Sequence, residues 1–204
     1  MFSIIQAAGW PIWPLLACSV LALALVIERF ISLQTAKVAP PQLLDEVLGL
    51  LKTSLPSAEV AERLAQSSAL GEVLASGLRA VGAAANAAPE DVRADMQNAG
   101  RRVVHRLEKH LSALATIAST APLMGLFGTV VGMIEIFGAQ SSVTSANPVQ
   151  LAQGISMALY NTAFGLLVAI PSLIFWRYFR ARVDGFILTM ELATEQCLRH
   201  LLRT

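Results

Sequence analysis

Residues 111–176 read LSALATIASTAPLMGLFGTVVGMIEIFGAQSSVTSANPVQLAQGISMALYNTAFGLLVAIPSLIFW. Across these sixty-six residues the one formally charged side chain is Glu135, whereas all fifteen lysines and arginines of the 204-residue chain lie outside them. The chain is 55% hydrophobic and 14% charged, with a mean hydropathy of +0.60. That is more apolar than a water-soluble domain of this size requires. A hydrocarbon layer is crossed by about 20 apolar helical residues, and three stretches reach that length: roughly Trp13 to Ser32, Leu114 to Ala139 and Val149 to Trp176. The expected fold class is therefore all-α: a polytopic membrane protein with three transmembrane helices, two of them extended into the cytoplasm.

Charge sets the expected topology. Lys and Arg favour the cytoplasmic side of short loops, and none precedes Arg29. The N-terminus is thus expected outside and the Glu28-Arg29 end inside. Nine further basic residues lie between Lys37 and Lys109, and Arg177, Arg180 and Arg182 follow the last span. The expected layout is an outer segment and first transmembrane helix over 1–33, a cytoplasmic helical region over 34–112, the second transmembrane helix over 113–139, a short periplasmic loop over 140–148, the third transmembrane helix over 149–177 and a cytoplasmic tail over 178–204. Residues 1–12 show no basic region and no small-residue cleavage site, so the first span is expected to persist as an anchor. Cys18 then lies inside the membrane and Cys197 in the tail, which separates them as disulfide partners.

Between the first two spans, Pro40-Pro41 breaks the chain, and Leu and Val at spacings of three and four predict helices over Gln42–Thr53, Ser57–Ser67 and Ala69–Val81. Pro89-Glu90-Asp91 marks a helix start, with proline at a first helical position and acids in the first turn. No proline interrupts Asp91 to Thr120, so one helix is expected to rise from the cytoplasm into the membrane. Val183 to Leu202 continues the third span with an amphipathic pattern. These apolar stripes need cover, which oligomerisation or packing within one subunit would supply.

Small residues line both later spans. Ala118, Ala121, Gly125, Gly128, Gly132 and Glu135 form one stripe, with Thr129 beside it; Gly154, Ala158, Asn161, Gly165, Ala169 and Ser172 form another, with Thr162 beside it. Such spacing lets helices approach closely in lipid, where packing replaces the hydrophobic effect. Gly125, Gly128, Gly132, Gly154 and Gly165 are accordingly read as helix-packing positions. Thr116, Ser119, Thr120, Thr129 and Thr162 either bond a carbonyl one turn back or line a polar path. The Asn161 amide needs partners in hydrocarbon that a pore or a second polypeptide would supply. Glu135 is the intramembrane acid and a functional candidate on that ground, with snorkelling toward the outer loop as its competitor.

Enzyme signatures are missing from the sequence: it has no HExxH, no Cys-His metal cluster, no phosphate-binding glycine loop and no Gly-x-Ser-x-Gly elbow. No catalysis, cofactor, metal or nucleic acid is expected. A full proton relay is missing too, because no Asp, His or Lys lies deep in the spans. If protons cross, a partner should bring the central ionisable group.

The segment Ser119-Thr120-Ala121-Pro122-Leu123-Met124-Gly125-Leu126-Phe127-Gly128-Thr129-Val130-Val131-Gly132 and the segment GISMALYNTAFGLLVAIP over Gly154–Pro171 together resemble the signature segments of the MotA/TolQ/ExbB proton channel family. The resemblance extends through the three-helix order and the large insert after the first helix, and is closest to ExbB, with TolQ next. It implies a homopentamer in the bacterial inner membrane around the single-pass helices of an ExbD-like or TolR-like partner, with a partner aspartate as the titrating group. It also implies that the motor drives a TonB-like or TolA-like protein. Carried onto this sequence, the threonines facing that aspartate are Thr129 and Thr162, with Thr116, Thr120 and Asn161 as further lining candidates. One departure stands out: Met157 occupies a position where ExbB and TolQ often carry a glutamate. A self-contained ion channel and a membrane scaffold are the alternatives.

Overall fold

The computed structural model describes residues 9–53, 56–83, 88–140 and 148–201. Among them the chain is all-α, with three helices long and apolar enough to cross a membrane. Helix α1 covers Ile12–Ser32, and a short α2 covers Thr35–Val38; α3 (Leu43–Thr53), α4 (Ala58–Ser67) and α5 (Ala69–Ala83) follow. Then come α6 (Pro89–Glu108), α7 (Leu111–Gln140) and α8 (Pro148–Leu201). Most of the expected outer loop, residues 141–147, lies outside the described residues.

Local sequence accounts for the helix ends. Pro89 occupies the first turn of α6 with Glu90 and Asp91 behind it, where a missing N–H does no harm and acids meet the positive end of the helix dipole. Ser68 is extended and its Oγ accepts the Gly71 N–H at 3.0 Å, which satisfies one orphan donor of α5. The uninterrupted helix expected across Asp91–Thr120 is divided: α6 ends at Glu108 and α7 begins at Leu111. Lys109 nonetheless keeps helical angles (φ −45°, ψ −43°), and the interruption is confined to a two-residue turn at Lys109-His110. It falls where the charged sequence gives way to the apolar one.

The chain forms two compact units, one of residues 1–28 and 110–178, the other of residues 29–109 and 179–204. In the second unit, Val92, Met96, Ala99, Val103 and Leu107 of α6 are buried, as are Phe179, Val183, Phe186, Met190, Ala193 and Cys197 of α8. Burial at every third or fourth residue is the signature of a helix turning one face to a core. The stripes on α6 and the tail are thus covered within one chain, so they do not by themselves demand oligomerisation. A β-carbon at Gly77 would stand 2.6 Å from Met96 Sδ; the glycine on α5 is the notch into which the Met96 thioether packs.

Polar groups tie the same unit together. Arg29, only 4% exposed, donates from Nη1 to the Leu107 carbonyl at 2.8 Å, satisfying an acceptor in the last turn of α6 that the helix itself leaves open. Arg182 donates to the Leu33 carbonyl at 3.2 Å, and Phe30 meets Phe179 edge-on with ring centroids 5.0 Å apart. Arg180 pairs with Glu108 at 2.7 Å and Arg106 with Glu72 at 2.6 Å. These ion pairs are exposed and individually contribute little. The buried Arg29 contact matters more, because its loss would strand a charge or a carbonyl away from water.

Candidate functional site

In the first unit the two small-residue stripes face each other. Ala118, Ala121, Gly125 and Gly128 of α7 are buried, and so are Gly154, Ala158, Asn161, Gly165, Ala169 and Ser172 of α8. At the centre of this seam the backbones nearly touch. A β-carbon at Gly125 would lie 2.8 Å from the Asn161 carbonyl oxygen and 3.0 Å from the Thr162 Cα. One at Gly165 would lie 2.6 Å from the Ala121 carbonyl oxygen and 3.1 Å from the Gly125 Cα. Side chains cannot relieve such contacts, so glycine is the residue that permits this separation.

The seam loosens toward its other end. At Gly128 a β-carbon would meet the Asn161 side chain at 2.8 Å, and at Gly132 it would rest at an ordinary 3.6 Å from the Ala158 Cβ. At Gly154 it would meet the end of the Ile136 side chain. Glu135, placed by its spacing on the stripe of α7, is exposed. The Met157 side chain lies outside the described residues.

The hydroxyls divide into two groups. Thr116 donates to the Ser112 carbonyl at 2.9 Å, Thr120 to the Thr116 carbonyl at 2.8 Å and Thr129 to the Leu126 carbonyl at 2.7 Å. Each satisfies itself on its own helix. Thr162 instead reaches across the seam, its Oγ1 lying 3.4 Å from the Gly125 carbonyl oxygen. In an α-helix that carbonyl also accepts the N–H of Thr129. One acceptor therefore links Thr162 to the backbone of Thr129, and both threonines border the same edge of the seam. Thr116 sits on the exposed face shared with Leu123, Phe127, Val130 and Ile134.

Asn161 is 2% exposed, and its Oδ1 receives no donor from the described residues. Its amide packs against Gly128, where a β-carbon would come within 3.0 Å of Nδ2. Glycine at 128 therefore makes room for the amide inside the seam. The structure thus brings Gly125, Gly128, Asn161, Thr162 and Gly165 together, with Thr129 at the margin; it does not bring Thr116, Thr120 or Glu135 to them.

Two polar contacts went unread in the sequence. His110 Nδ1 lies 3.0 Å from Glu28 Oε2, joining the start of α7 to the end of α1. The other is Arg29 on Leu107, described above. The available signal was an acid and a base closing the last turn of an apolar helix, which composition alone reads as a solvated boundary. The Gly125 carbonyl carried no side-chain signal at all.

The family model described as the MotA/TolQ/ExbB proton channel family matches residues 65–192, which include the whole seam. A biopolymer transport protein of Synechocystis named ExbB-like 3 is 32% identical over 178 residues, covering 86% of this chain and 83% of that protein. The biopolymer transport protein exbB1 of Vibrio cholerae is 31% identical over 169 residues, covering 82% and 73% respectively. The Tol-Pal system protein TolQ of Pseudomonas aeruginosa is 41% identical over 102 residues, covering 50% of this chain and 44% of that protein. With a family match across both small-residue helices and a relative aligned over most of its own length, the chain belongs to the MotA/TolQ/ExbB proton channel family.

Proposed function

We propose that the chain is the ExbB-like subunit of a proton-driven motor in the bacterial inner membrane, working with an ExbD-like single-pass partner to energise TonB-dependent transport at the outer membrane. The observation that carries this reading is the glycine seam with Thr162 bonded across it at Gly125 and Thr129 on the same edge. It offers hydroxyls and an amide but no ionisable side chain. A proton path along it needs a carboxylate from elsewhere, and an aspartate on a partner helix meets that need. Polar walls lower the cost of bringing that charge into hydrocarbon. One charge moved through 100 mV releases about 2.3 kcal/mol, enough to bias a conformational step when the partner acid binds and releases its proton.

In this reading the subunits form a homopentamer, the N-terminus is periplasmic and the C-terminus cytoplasmic, as the distribution of Lys and Arg supports. The cytoplasmic region is residues 34–112 with the tail 178–204. The exposed apolar faces of α7 and α8, including Phe127, Ile134, Leu159 and Leu167, then face lipid or neighbouring subunits. A TolQ-like role with a TolR-like partner and a TolA-like effector is the second reading, favoured by the 41% identity to TolQ over the shared segment. Expression in cells lacking ExbB and in cells lacking TolQ separates the two. Restored TonB-dependent uptake supports the first, restored envelope integrity the second, and rescue of neither by an assembled protein overturns both.

A further inference from the structure

Nothing in the local sequence requires α6 and α7 to be separate helices. From Arg101 to Ala121 the chain contains neither glycine nor proline, and the turn between the helices is made of Lys109 and His110, residue types that a helix interior accepts. Lys109 already has helical angles, and the His110 carbonyl accepts the N–H of Leu114 at 3.3 Å, with the spacing of a helix. The interruption is therefore imposed from outside these two helices.

The last turn of α1 supplies the means. Two consecutive residues there, Glu28 and Arg29, hold the two sides of the turn. Arg29 Nη1 donates to the Leu107 carbonyl at 2.8 Å, and this is the carbonyl that the N–H of Leu111 uses in an uninterrupted helix. A buried guanidinium is a strong competitor for it, because a charged donor makes the stronger hydrogen bond. On the other side, His110 Nδ1 lies 3.0 Å from Glu28 Oε2, which anchors the second residue of the turn to α1. The acid and base next to the turn on α6 are engaged elsewhere, Glu108 with Arg180 and Arg106 with Glu72.

We propose that Lys109-His110 is a two-state joint. With Glu28 and Arg29 engaged it is a turn; with them withdrawn, the Leu107 carbonyl takes the Leu111 N–H, and α6 and α7 run on as one helix from Pro89 to Gln140. Joining two formed helices across two residues needs no new helix nucleus, so a pair of hydrogen bonds suffices to decide between the states. Helix α7 carries one side of the glycine seam, and the joint thereby decides whether a displacement of α7 continues into α6 as unbroken helix or stops at the turn. That consequence for the motor rests on the function proposed above; the joint itself does not.

The test is amide hydrogen exchange on the full chain in lipid nanodiscs, reading protection over 109–113 against the amides of Val92–Val103 in α6 as an internal reference. Glu28→Ala with Arg29→Met removes both contacts and leaves the joint's own sequence intact. Protection over 109–113 is then expected to rise about tenfold. Glu28→Ala alone should give a smaller rise, while Glu28→Gln, which keeps an acceptor for His110, should stay near the parent. Adding Lys109→Gly and His110→Gly to the double variant should return protection to the parent level, since glycine disfavours the joined helix. A contact that merely braces the backbone predicts the opposite sign, with protection falling once the contact is removed. Protection over 109–113 that falls or does not change while the α6 reference holds overturns the two-state joint. Should Arg29→Met loosen the reference as well, Glu28→Ala decides, because Glu28 is half-exposed and its replacement spares the buried arginine; unchanged or lower protection in that variant overturns the joint on its own.

Discussion

Alanine at Gly165 should be among the most damaging single-methyl changes in the seam, and its effect can be set against an internal control. The added β-carbon would stand 2.6 Å from the Ala121 carbonyl oxygen and 3.1 Å from the Gly125 Cα, both backbone atoms. Reaching an ordinary contact of about 3.4 Å requires the helices to part by several tenths of an ångström, with the tight contacts along the seam weakening together. Overpacking of this kind costs about 1–3 kcal/mol. That corresponds to roughly a 5- to 160-fold shift toward the separated state, with no hydrophobic effect between helices in lipid to oppose it. Gly132→Ala is the control. Its β-carbon rests at 3.6 Å from the Ala158 Cβ, so it adds a normal contact and gains up to about 1 kcal/mol of helix propensity. Gly125→Ala falls near Gly165→Ala, because its closest neighbours are backbone too. Reversible unfolding in bicelles, followed by crosslinking between the two helices, ranks the three. Equal stability of Gly165→Ala and Gly132→Ala would refute the inference that backbone contact sets the helix separation.

Three further expectations follow from individual contacts. Thr162→Val removes a single hydrogen bond of 3.4 Å, which in a membrane is worth about 0.6 kcal/mol; stability and assembly should hold while energised transport is lost, and unchanged transport in an assembled variant would remove Thr162 from the proton path. Arg29→Gln takes a buried charged donor from the Leu107 carbonyl and should destabilise the second unit by about 2–3 kcal/mol, seen as earlier protease cleavage within residues 34–109. Burial pushes the Cys197 thiol up from its usual 9.0 to about 11. Being raised, it contributes its stability fully below pH 9 and loses it as pH climbs toward 11, so in a Cys18→Ser background maleimide labelling at pH 8 should be slow when folded and rapid after denaturation.

Much of the architecture is legible because membranes impose simple rules. Three apolar runs of sufficient length, and the stripes of small residues on α7 and α8, follow from the hydrocarbon thickness and from the helical period. The amphipathic segments were readable on the same basis, with α3, α4 and α5 ending within two residues of the expected bounds. What escaped was set by tertiary geometry. Periodicity shows that the stripe from Val183 to Cys197 must be covered, yet not that the same chain covers it. It places Thr129 and Thr162 beside their stripes, but cannot say that one hydroxyl turns to its own helix and the other crosses the seam. The joint at Lys109-His110 carries no proline or glycine to announce it, and the burial of Arg29 runs against its residue type.

The contact of backbone against backbone at Gly125 and Gly165 has a mechanical meaning. Interfaces built from long side chains can absorb displacement by switching rotamers, whereas two main chains held by glycine have no such soft coordinate between them. The α7 and α8 segments therefore behave as a single strut at this level. A push delivered at one face is passed on as movement of the pair instead of being dissipated inside it.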